Sequence, residues 1–346
     1  MRNLFLIILA ALVVFSQIIQ FRSKGSGGDG SVPSIYWVTD PHPARKEQVR
    51  IFREWLKKKG YPDIEVKLDT ANQGLQKTLI QGVTGVAGDL VDAFGATHFL
   101  ADTGMVEDLA EVTREFKLDE KELYQPTFQD LCLDGKRYAT PKNIGLNLYF
   151  VNLELFEKLG LPPPPRRWDF DTFEKIGIEF DKRANAGLPR RQVFFASWVN
   201  FVDCRKTAGV STYNETLTAC AIERPASLDL LKRLRRWREE YHIAPSEADR
   251  QAIAVGQGYG DSFFQLFNNG QCGLLYTGRW ALIQIRAMKK NPRMSAVEVP
   301  NGGYPCATAL AAGVVLYKGS RHLEQAKYFQ AYLMSEEYNR QILKDV

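Results

Sequence analysis

The sequence predicts an α/β protein built as two lobes. Strand-like and helix-like stretches alternate from Ser34 onward, and such alternation is typical of a parallel sheet with helices on both faces. The 346 residues are too many for one ordinary small domain and suit two lobes of about 150 residues each. A hydrophobic fraction of 45% is enough for each lobe to bury a core.

The first part of the chain contains five alternating elements. We predict strands over residues 35–38, 64–68 and 89–94, and helices over residues 44–59 and 75–83. The first helix is predicted to end at Gly60, because a helix C-cap favours a residue that tolerates positive φ. Ligands of parallel sheets bind beyond the carboxyl ends of the strands, so the loops that follow these strands are candidate binding loops.

The middle of the chain carries a denser set of signals. Asp134-Gly135 predicts a tight hairpin turn, and residues 145–151 alternate like a strand. A short helix is expected over residues 153–159, with Gly160 as its C-cap residue. The four prolines at 162–165 cannot continue that helix.

This middle segment resembles the family 1 extracellular solute-binding proteins, the carbohydrate-capturing, maltose-binding-protein-like components of ATP-binding cassette importers. The matching residues are Gly135-Lys136, Tyr138, Pro141, Asn152, Phe156, Gly160-Leu161, Pro164-Pro165 and Trp168. Residues 267–280 and 311–343 resemble two further segments of the family. The resemblance implies a type II periplasmic-binding-protein-like fold, with two lobes joined by a hinge.

The chain departs from the family pattern at two places. Arg167 stands before Trp168 where the family usually has Thr. The sequence stops at Val346, where relatives commonly add helices to the second lobe, so we expect the C-terminal part of the fold to be incomplete. We predict a first lobe from residues 33–143 and 310–346, and a second lobe from residues 144–309.

The N-terminus is predicted to direct export. Residues 4–21 form an apolar run after Arg2, and residues 24–31 read as a flexible Gly/Ser linker. No small-x-small cleavage site precedes Arg22, so both a cleaved signal peptide and a retained membrane anchor stay open. We expect a periplasmic or extracellular protein, tethered to the cytoplasmic membrane if residues 1–32 are kept.

Composition and motifs argue against several other functions. A net charge of +5 from 45 basic and 40 acidic residues is too mild to indicate nucleic-acid binding. The four histidines show no metal-ligand spacing, and neither a nucleophile elbow nor a phosphate-binding loop with its lysine is present. We therefore expect no enzymatic activity, no metal and no cofactor.

Five cysteines in an exported chain leave at least one thiol unpaired. Cys204 and Cys220 lie on either side of a predicted hairpin, where a disulfide is one alternative. Sequence alone does not fix the distance between them, so their pairing stays open.

Candidate ligand-binding residues of the first lobe follow from the strand-end rule. Thr39, Asp40 and His42 come after the first strand, Asn72 after the second, and Phe94 at the end of the third. His42 stands between two prolines, so an exposed turn residue is the alternative for it. Asn143 lies near the point where the chain is predicted to cross into the second lobe.

Candidate residues of the second lobe are aromatic, because a flat ring packs against the apolar C–H face of a sugar. Trp280 follows a predicted strand over residues 272–276 and matches the ligand-stacking Trp of the family. Trp198 lies where another strand gives way to a helix, and Tyr276 ends the strand before Trp280. Trp55 and Trp237 lie in helical apolar stripes and are expected in the core.

These observations predict a monomeric solute-binding protein that captures a sugar or oligosaccharide and delivers it to the permease subunits of an ATP-binding cassette importer by hinge closure. One alternative is a membrane-anchored sensory or adhesion module with the same fold. Another is an exported hydrolase, which would need a pair of acidic side chains facing the cleft.

Overall fold

The computed structural model describes residues 32–253, 262–288 and 292–344. The predicted apolar leader and its Gly/Ser linker, up to residue 31, lie outside the described residues. Within these ranges, no helix has both the length and the apolar character that a membrane span requires.

The described chain contains ten strands and thirteen α-helices, the longest of which have 15 residues. The strands are β1 (Ser34–Val38), β2 (Glu65–Asp69), β3 (Leu90–Asp92), β4 (Cys132–Leu133), β5 (Lys136–Arg137), β6 (Ala139–Asn152), β7 (Phe194–Ala196), β8 (Cys272–Gly278), β9 (Met294–Val297) and β10 (Ala309–Leu316). The helices are α1 (Arg45–Lys59), α2 (Leu75–Val83), α3 (Thr97–Asp102), α4 (Ala110–Glu115), α5 (Leu153–Lys158), α6 (Phe170–Ala184), α7 (Phe201–Thr207), α8 (Pro225–Glu239), α9 (Glu247–Ile253), α10 (Ser262–Asn268), α11 (Leu282–Ala287), α12 (Leu323–Leu333) and α13 (Glu336–Lys344). Short 3₁₀ turns cover Glu120–Glu122, Gln125–Leu131 and Arg279–Ala281.

Eight of the described strands form one continuous sheet. Its order is β2-β1-β3-β10-β6-β8-β7, and β9 pairs with the last residues of β6 on the edge opposite β8. Strand β1 is parallel to both β2 and β3, which confirms the parallel sheet predicted for the first elements. Strand β10 runs antiparallel between β3 and β6, so the C-terminal part of the chain returns to the first sheet region.

Local signals place several boundaries as predicted. Gly60 ends α1 with φ of 71°, and its N–H bonds back to the carbonyls of Leu56 and Lys57. Asp134 and Gly135 both have positive φ and join the paired strands β4 and β5, which confirms the hairpin. The predicted strand over residues 89–94 is shorter in the structure, because the chain turns with positive φ at Phe94 and Gly95.

Strand β6 is twice as long as the strand predicted over residues 145–151. Its residues 139–146 pair with β10, and its residues 147–151 pair with β8. The pairing with β10 is long-range in sequence, so alternation within β6 alone does not reveal it. The register between β6 and β10 shifts between Ala312 and Gly313, and Lys142 is the extra residue of the resulting bulge.

Buried side chains cluster on each side of this long strand. Trp37, Phe52 and Phe329 belong to a core built from β1, α1 and α12. Phe173 and Trp237 belong to a second core built from α6, α8 and the later part of β6. The exact lobe boundaries at residues 143–144 and 309–310 stay a prediction.

Cys204 and Cys220 lie in different local structures. Cys204 is in helix α7, and Cys220 forms an isolated antiparallel bridge with Tyr213. Both thiols are free in the structure.

Candidate functional site

The loop after β1 carries three of the predicted ligand residues, and all three are engaged by the protein itself. Thr39 is fully buried, and its Oγ1 donates to Asp92 Oδ2 at 2.5 Å. Trp37, also fully buried, donates its indole N–H to Asp92 Oδ1 at 2.9 Å. Asp92, at the end of β3, is therefore hydrogen-bonded to two residues at the end of β1.

Asp40 is the centre of a buried ion cluster. Arg45 donates to both of its carboxylate oxygens, from Nε at 3.0 Å and from Nη2 at 2.9 Å. Lys142 Nζ reaches Asp40 Oδ2 at 3.2 Å and Asp92 Oδ2 at 2.5 Å. Burial alone would raise the pKa of Asp40, but the charges of Lys142 and Arg45 outweigh it and hold that pKa well below its usual range.

Lys142 reaches this cluster because it is the bulged residue of β6. A bulge bends the strand and re-aims one side chain, and here the lysine is directed at the loops after β1 and β3. Its Nζ also lies 4.7 Å from the ring centroid of Phe94, a cation–π contact. The crossing strand is thus bound to both predicted binding loops by one side chain.

His42 contacts a residue from the far end of the sheet. Its Nδ1 accepts the backbone N–H of Ala44 at 3.2 Å, so the hydrogen of the neutral ring is on Nε2. Nε2 lies 3.3 Å from the backbone carbonyl oxygen of Trp280 and donates to it. The side chain is 6% exposed, so the alternative of an exposed turn residue is wrong.

The remaining first-lobe candidates are more accessible. Phe94 is 46% exposed and occupies the positive-φ turn after β3. Asn72 is half-buried, and its Nδ2 donates to Asp69 Oδ2 at 2.7 Å. Asn143, also half-buried, follows the bulge and faces Ala312 in the sheet.

Trp198 and Tyr276 form what we call the aromatic wall. Trp198 follows β7, and Tyr276 lies in the last part of its parallel neighbour β8. Tyr149 connects the two residues. The Tyr149 hydroxyl donates to the Trp198 carbonyl at 2.7 Å, and its ring centroid lies 5.5 Å from that of Tyr276. Trp198 is 39% exposed, which leaves part of its ring open to a ligand.

The hydroxyl of Tyr276 is held by a polar network. It donates to Asp203 Oδ2 and accepts from Asn200 Nδ2 at 3.3 Å. Burial, with the Asp203 hydrogen bond as a second cause, raises the pKa of Tyr276 to about 12. Asp203 Oδ1 accepts the hydroxyl of Thr308 at 2.9 Å, so the wall is bonded to the segment just before β10.

Trp280 lies in the turn after β8 and is half-buried. Its ring centroid is 5.7 Å from that of Phe264, at an interplanar angle of 47°. A Cβ at position 278 would come within 2.7 Å of Trp280 Cδ1, so only glycine there lets the indole pack over the strand end. This packing explains the glycine at position 278.

The structure therefore groups the predicted residues at two sites, one in and around the loops after β1, β2 and β3 and the other around the ends of β7 and β8. The hydrogen bond from His42 to the Trp280 carbonyl connects the two sites. Sequence reasoning missed the buried partners that hold them, above all Lys142, Asp92 and Asp203. No local sequence signal marks the bulge at Lys142, because it depends on the pairing of β6 with a strand that lies far along the chain.

A surface cavity of about 820 Å³ lies outside the predicted site. Its lining residues are Leu146, Leu148, Arg166, Arg167, Ala296, Val297, Glu298, Pro305, Cys306 and Ala307. None of these was a predicted ligand residue. Among the residues that the structure describes, no group of three or more His, Cys, Asp or Glu side chains is placed to hold a metal ion.

The amino-acid sequence is similar to those of known solute-binding proteins. The profile of the family described as bacterial extracellular solute-binding protein matches residues 53–346. The arabinooligosaccharide-binding protein of Bacillus subtilis (strain 168) is 23% identical over 339 residues, which cover 92% of this chain and 73% of that protein.

Solved structures show the same fold. An ABC substrate-binding protein of Listeria monocytogenes in complex with cycloalternan superposes with a TM-score of 0.76 at 23% identity, over 91% of this chain and 79% of that one. The maltose-bound MalE3 of T. maritima superposes with a TM-score of 0.71 at 18% identity, over 90% and 79%. The chain has the two-lobed, type II periplasmic-binding-protein fold that the resemblance implied.

Proposed function

This chain belongs to the bacterial extracellular solute-binding proteins, and on that premise we propose that it captures a sugar or oligosaccharide outside the cytoplasm and delivers it to the permease subunits of an ATP-binding cassette importer. We further propose that it works as a monomer, binds its ligand without converting it, and is tethered to the membrane if its leader is retained. The ligands of its relatives support the ligand class, since arabinooligosaccharide, cycloalternan and maltose are all carbohydrates.

The observation that carries this proposal is the aromatic wall. Trp198 offers an open indole surface at the carboxyl end of a strand, and a fixed polar network lies beside it at Tyr276. A pyranose or furanose ring has an apolar C–H face and a rim of hydroxyls, so it is complementary to an aromatic surface bordered by hydrogen-bonding groups.

We assign the predicted residues to two roles. Asn72, Phe94, Asn143, Trp198 and Trp280 are proposed to touch the ligand, since each is half-buried or exposed. The other four are proposed to hold the site in shape, because protein partners occupy their polar groups; these are Thr39, Asp40, His42 and Tyr276.

Hinge closure follows from ligand contacts on both lobes. A ligand shifts the balance between open and closed forms only by binding one of them more tightly. A sugar that touches Phe94 on one side and Trp198 on the other does so, because both contacts exist together only when the lobes are closed. The two strands β6 and β10 pass between the lobes and serve as the hinge.

A thermal-shift screen of the purified full chain against a carbohydrate panel tests the proposal. A ligand present at a hundred times its dissociation constant adds about 2.7 kcal/mol to the free energy of unfolding. A panel of mono- and oligosaccharides that leaves the melting temperature unchanged would count against carbohydrate capture. Amino acids and short peptides serve as negative controls.

A further inference from the structure

Arg250 lies directly against the exposed indole of the aromatic wall. Its guanidinium carbon is 4.0 Å from the ring centroid of Trp198, the shortest cation–π distance among the described residues. The N–H groups of a guanidinium lie in its own plane. When the guanidinium stacks on an aromatic ring, these N–H groups remain available to donate hydrogen bonds to a ligand or to water. Arg250 therefore offers a fork of donors next to the surface on which we place the sugar.

The donors of this fork are not used by the described part of the protein. Within those ranges, no hydrogen bond joins the Arg250 guanidinium to another residue, and the nearest carboxylate is Glu247 Oε2, 4.0 Å from Nε. That distance is too long for a hydrogen bond, and the Glu247 side chain is mostly exposed. Such a surface pair contributes little, so Glu247 does not satisfy Arg250.

The carboxylates of Asp203, which bonds to Tyr276, and of Asp249, which precedes Arg250, accept hydrogen bonds from neighbouring neutral donors. Asp203 accepts from Tyr276 and from Thr308, one on each oxygen, and is buried. Asp249 accepts the backbone N–H and the hydroxyl of Ser246 on its Oδ2. These donors are neutral and cancel no charge, but within the described residues neither Asp203 nor Asp249 forms an ion pair with Arg250, whose one carboxylate neighbour is Glu247 at 4.0 Å. The guanidinium fork is therefore open to an anionic group of a ligand.

We propose that Arg250 makes this site selective for carbohydrates that bear a carboxylate, the uronic-acid class. This inference rests on the proposed carbohydrate binding and adds the charge of the ligand to it. The planar carboxylate of a uronate projects from the rim of its ring and matches the guanidinium fork in a bidentate pair. A sugar phosphate is the other anionic sugar, but it carries up to two charges against one available cation.

Calorimetric titration of the full chain tests the inference with matched ligands. Trigalacturonate and triglucuronate are each compared with the neutral trisaccharide obtained by reducing their carboxyl groups, and galactose 6-phosphate is the phosphate arm. We expect at least one uronate to bind about tenfold more tightly than its neutral counterpart, a difference of about 1.4 kcal/mol. Its affinity should fall with added NaCl, since screening weakens an ion pair that water still reaches.

Variants connect the preference to Arg250. Arg250→Gln should remove the tenfold preference, measured as the ratio of the uronate and neutral-trisaccharide dissociation constants within the variant, because the charged donor of the ion pair is lost. Arg250→Lys, which keeps the charge but not the fork, should retain part of the preference. Arg235→Gln, an exposed arginine on α8 with the same change in net charge, is the matched control.

The outcomes separate this inference from the proposed function. Neutral trisaccharides that bind as tightly as their uronates would overturn the inference and leave carbohydrate capture intact. The inference also fails if galactose 6-phosphate binds more tightly than the uronates, or if Arg235→Gln weakens uronate binding as much as Arg250→Gln. Absence of binding for every sugar tested would overturn both.

Discussion

The imidazole of His42 donates from Nε2 to the backbone carbonyl of Trp280, across a separation of 3.3 Å. One residue follows strand β1 and the other follows strand β8, so the contact joins the predicted first lobe to the turn that carries the best candidate for ligand stacking. The same imidazole accepts from Ala44 through Nδ1. The hydrogen bond from Ala44, within the loop after β1, therefore fixes the orientation of the imidazole that donates to Trp280.

Loss of this contact should favour the open form. We expect His42→Ala to weaken ligand binding by about 0.5–1.5 kcal/mol, the net value of one hydrogen bond. The closed form of the variant lacks the hydrogen bond between His42 and the Trp280 carbonyl. Titration calorimetry measures the affinity, and small-angle scattering measures the radius of gyration. His98→Ala is the control, since His98 also bonds to a backbone carbonyl, that of Gln129, but within the first lobe. Equal affinities for the His42 variant and the wild type would exclude this role.

Lys142 should be among the most sensitive positions of the chain. Lys142→Met removes the cation that bridges two buried carboxylates, and breaking a buried ion pair from one side typically costs about 3–5 kcal/mol. Urea unfolding of the variant measures this loss. The exposed Lys136→Met on β5 should change the free energy of unfolding by less than about 0.5 kcal/mol. A Lys142 variant as stable as the wild type would show that the cluster contributes no net stability.

Trp280 is expected to stack on the ligand. Trp280→Ala should weaken binding by about 1–3 kcal/mol while the chain stays folded, because the ring is half-buried and packs at the end of a strand. Circular dichroism and calorimetry report the two effects separately. The core residue Trp237, fully buried, is the contrast, since Trp237→Ala should destabilise the fold by about 3–5 kcal/mol. Unfolding of the Trp280 variant, or unaltered binding, would make Trp280 a structural residue.

Tyr276 should ionise late, and its contribution to stability should be lost at high pH. Its pKa is about 12 in the folded chain, above the ordinary value of about 10, so folding favours the protonated phenol. This contribution is complete below the unfolded pKa and is lost as pH rises through the folded pKa. Tyr276→Phe should therefore be less stable than the wild type at neutral pH, and the difference should shrink between about pH 10 and 12.

Two measurements check this prediction. Spectrophotometric titration of the Tyr276→Phe variant should show one phenol fewer ionising near pH 12. Denaturant unfolding at several pH values gives the difference in stability. A constant difference across that pH range would contradict the assigned cause. Tyr213→Phe, at an exposed tyrosine, serves as the control.

The fold could be predicted largely from local patterns. Apolar spacing and a C-terminal glycine mark α1, and Asp134-Gly135 marks a hairpin, because propensity and turn chemistry act over a few residues. The motifs around Trp168 and Trp280 indicated the family, and the profile match confirms it. The alternation of strands and helices placed Thr39, Asp40 and His42 in the loop after β1, where the structure has them.

Only the tertiary structure shows which of these side chains form hydrogen bonds with other protein residues and which are exposed to a ligand. Lys142 bonds to Asp40 and Asp92, 102 and 50 residues away in sequence, because a bulge turns its side chain toward the two loops. Asp203 holds Tyr276, and Arg250 covers part of Trp198, for the same reason of long-range packing. Residue type and spacing give the capacity of a side chain for hydrogen bonding and stacking. Its partners are set by which distant segments the sheet brings within a few ångströms, and that depends on strand pairing across the whole chain.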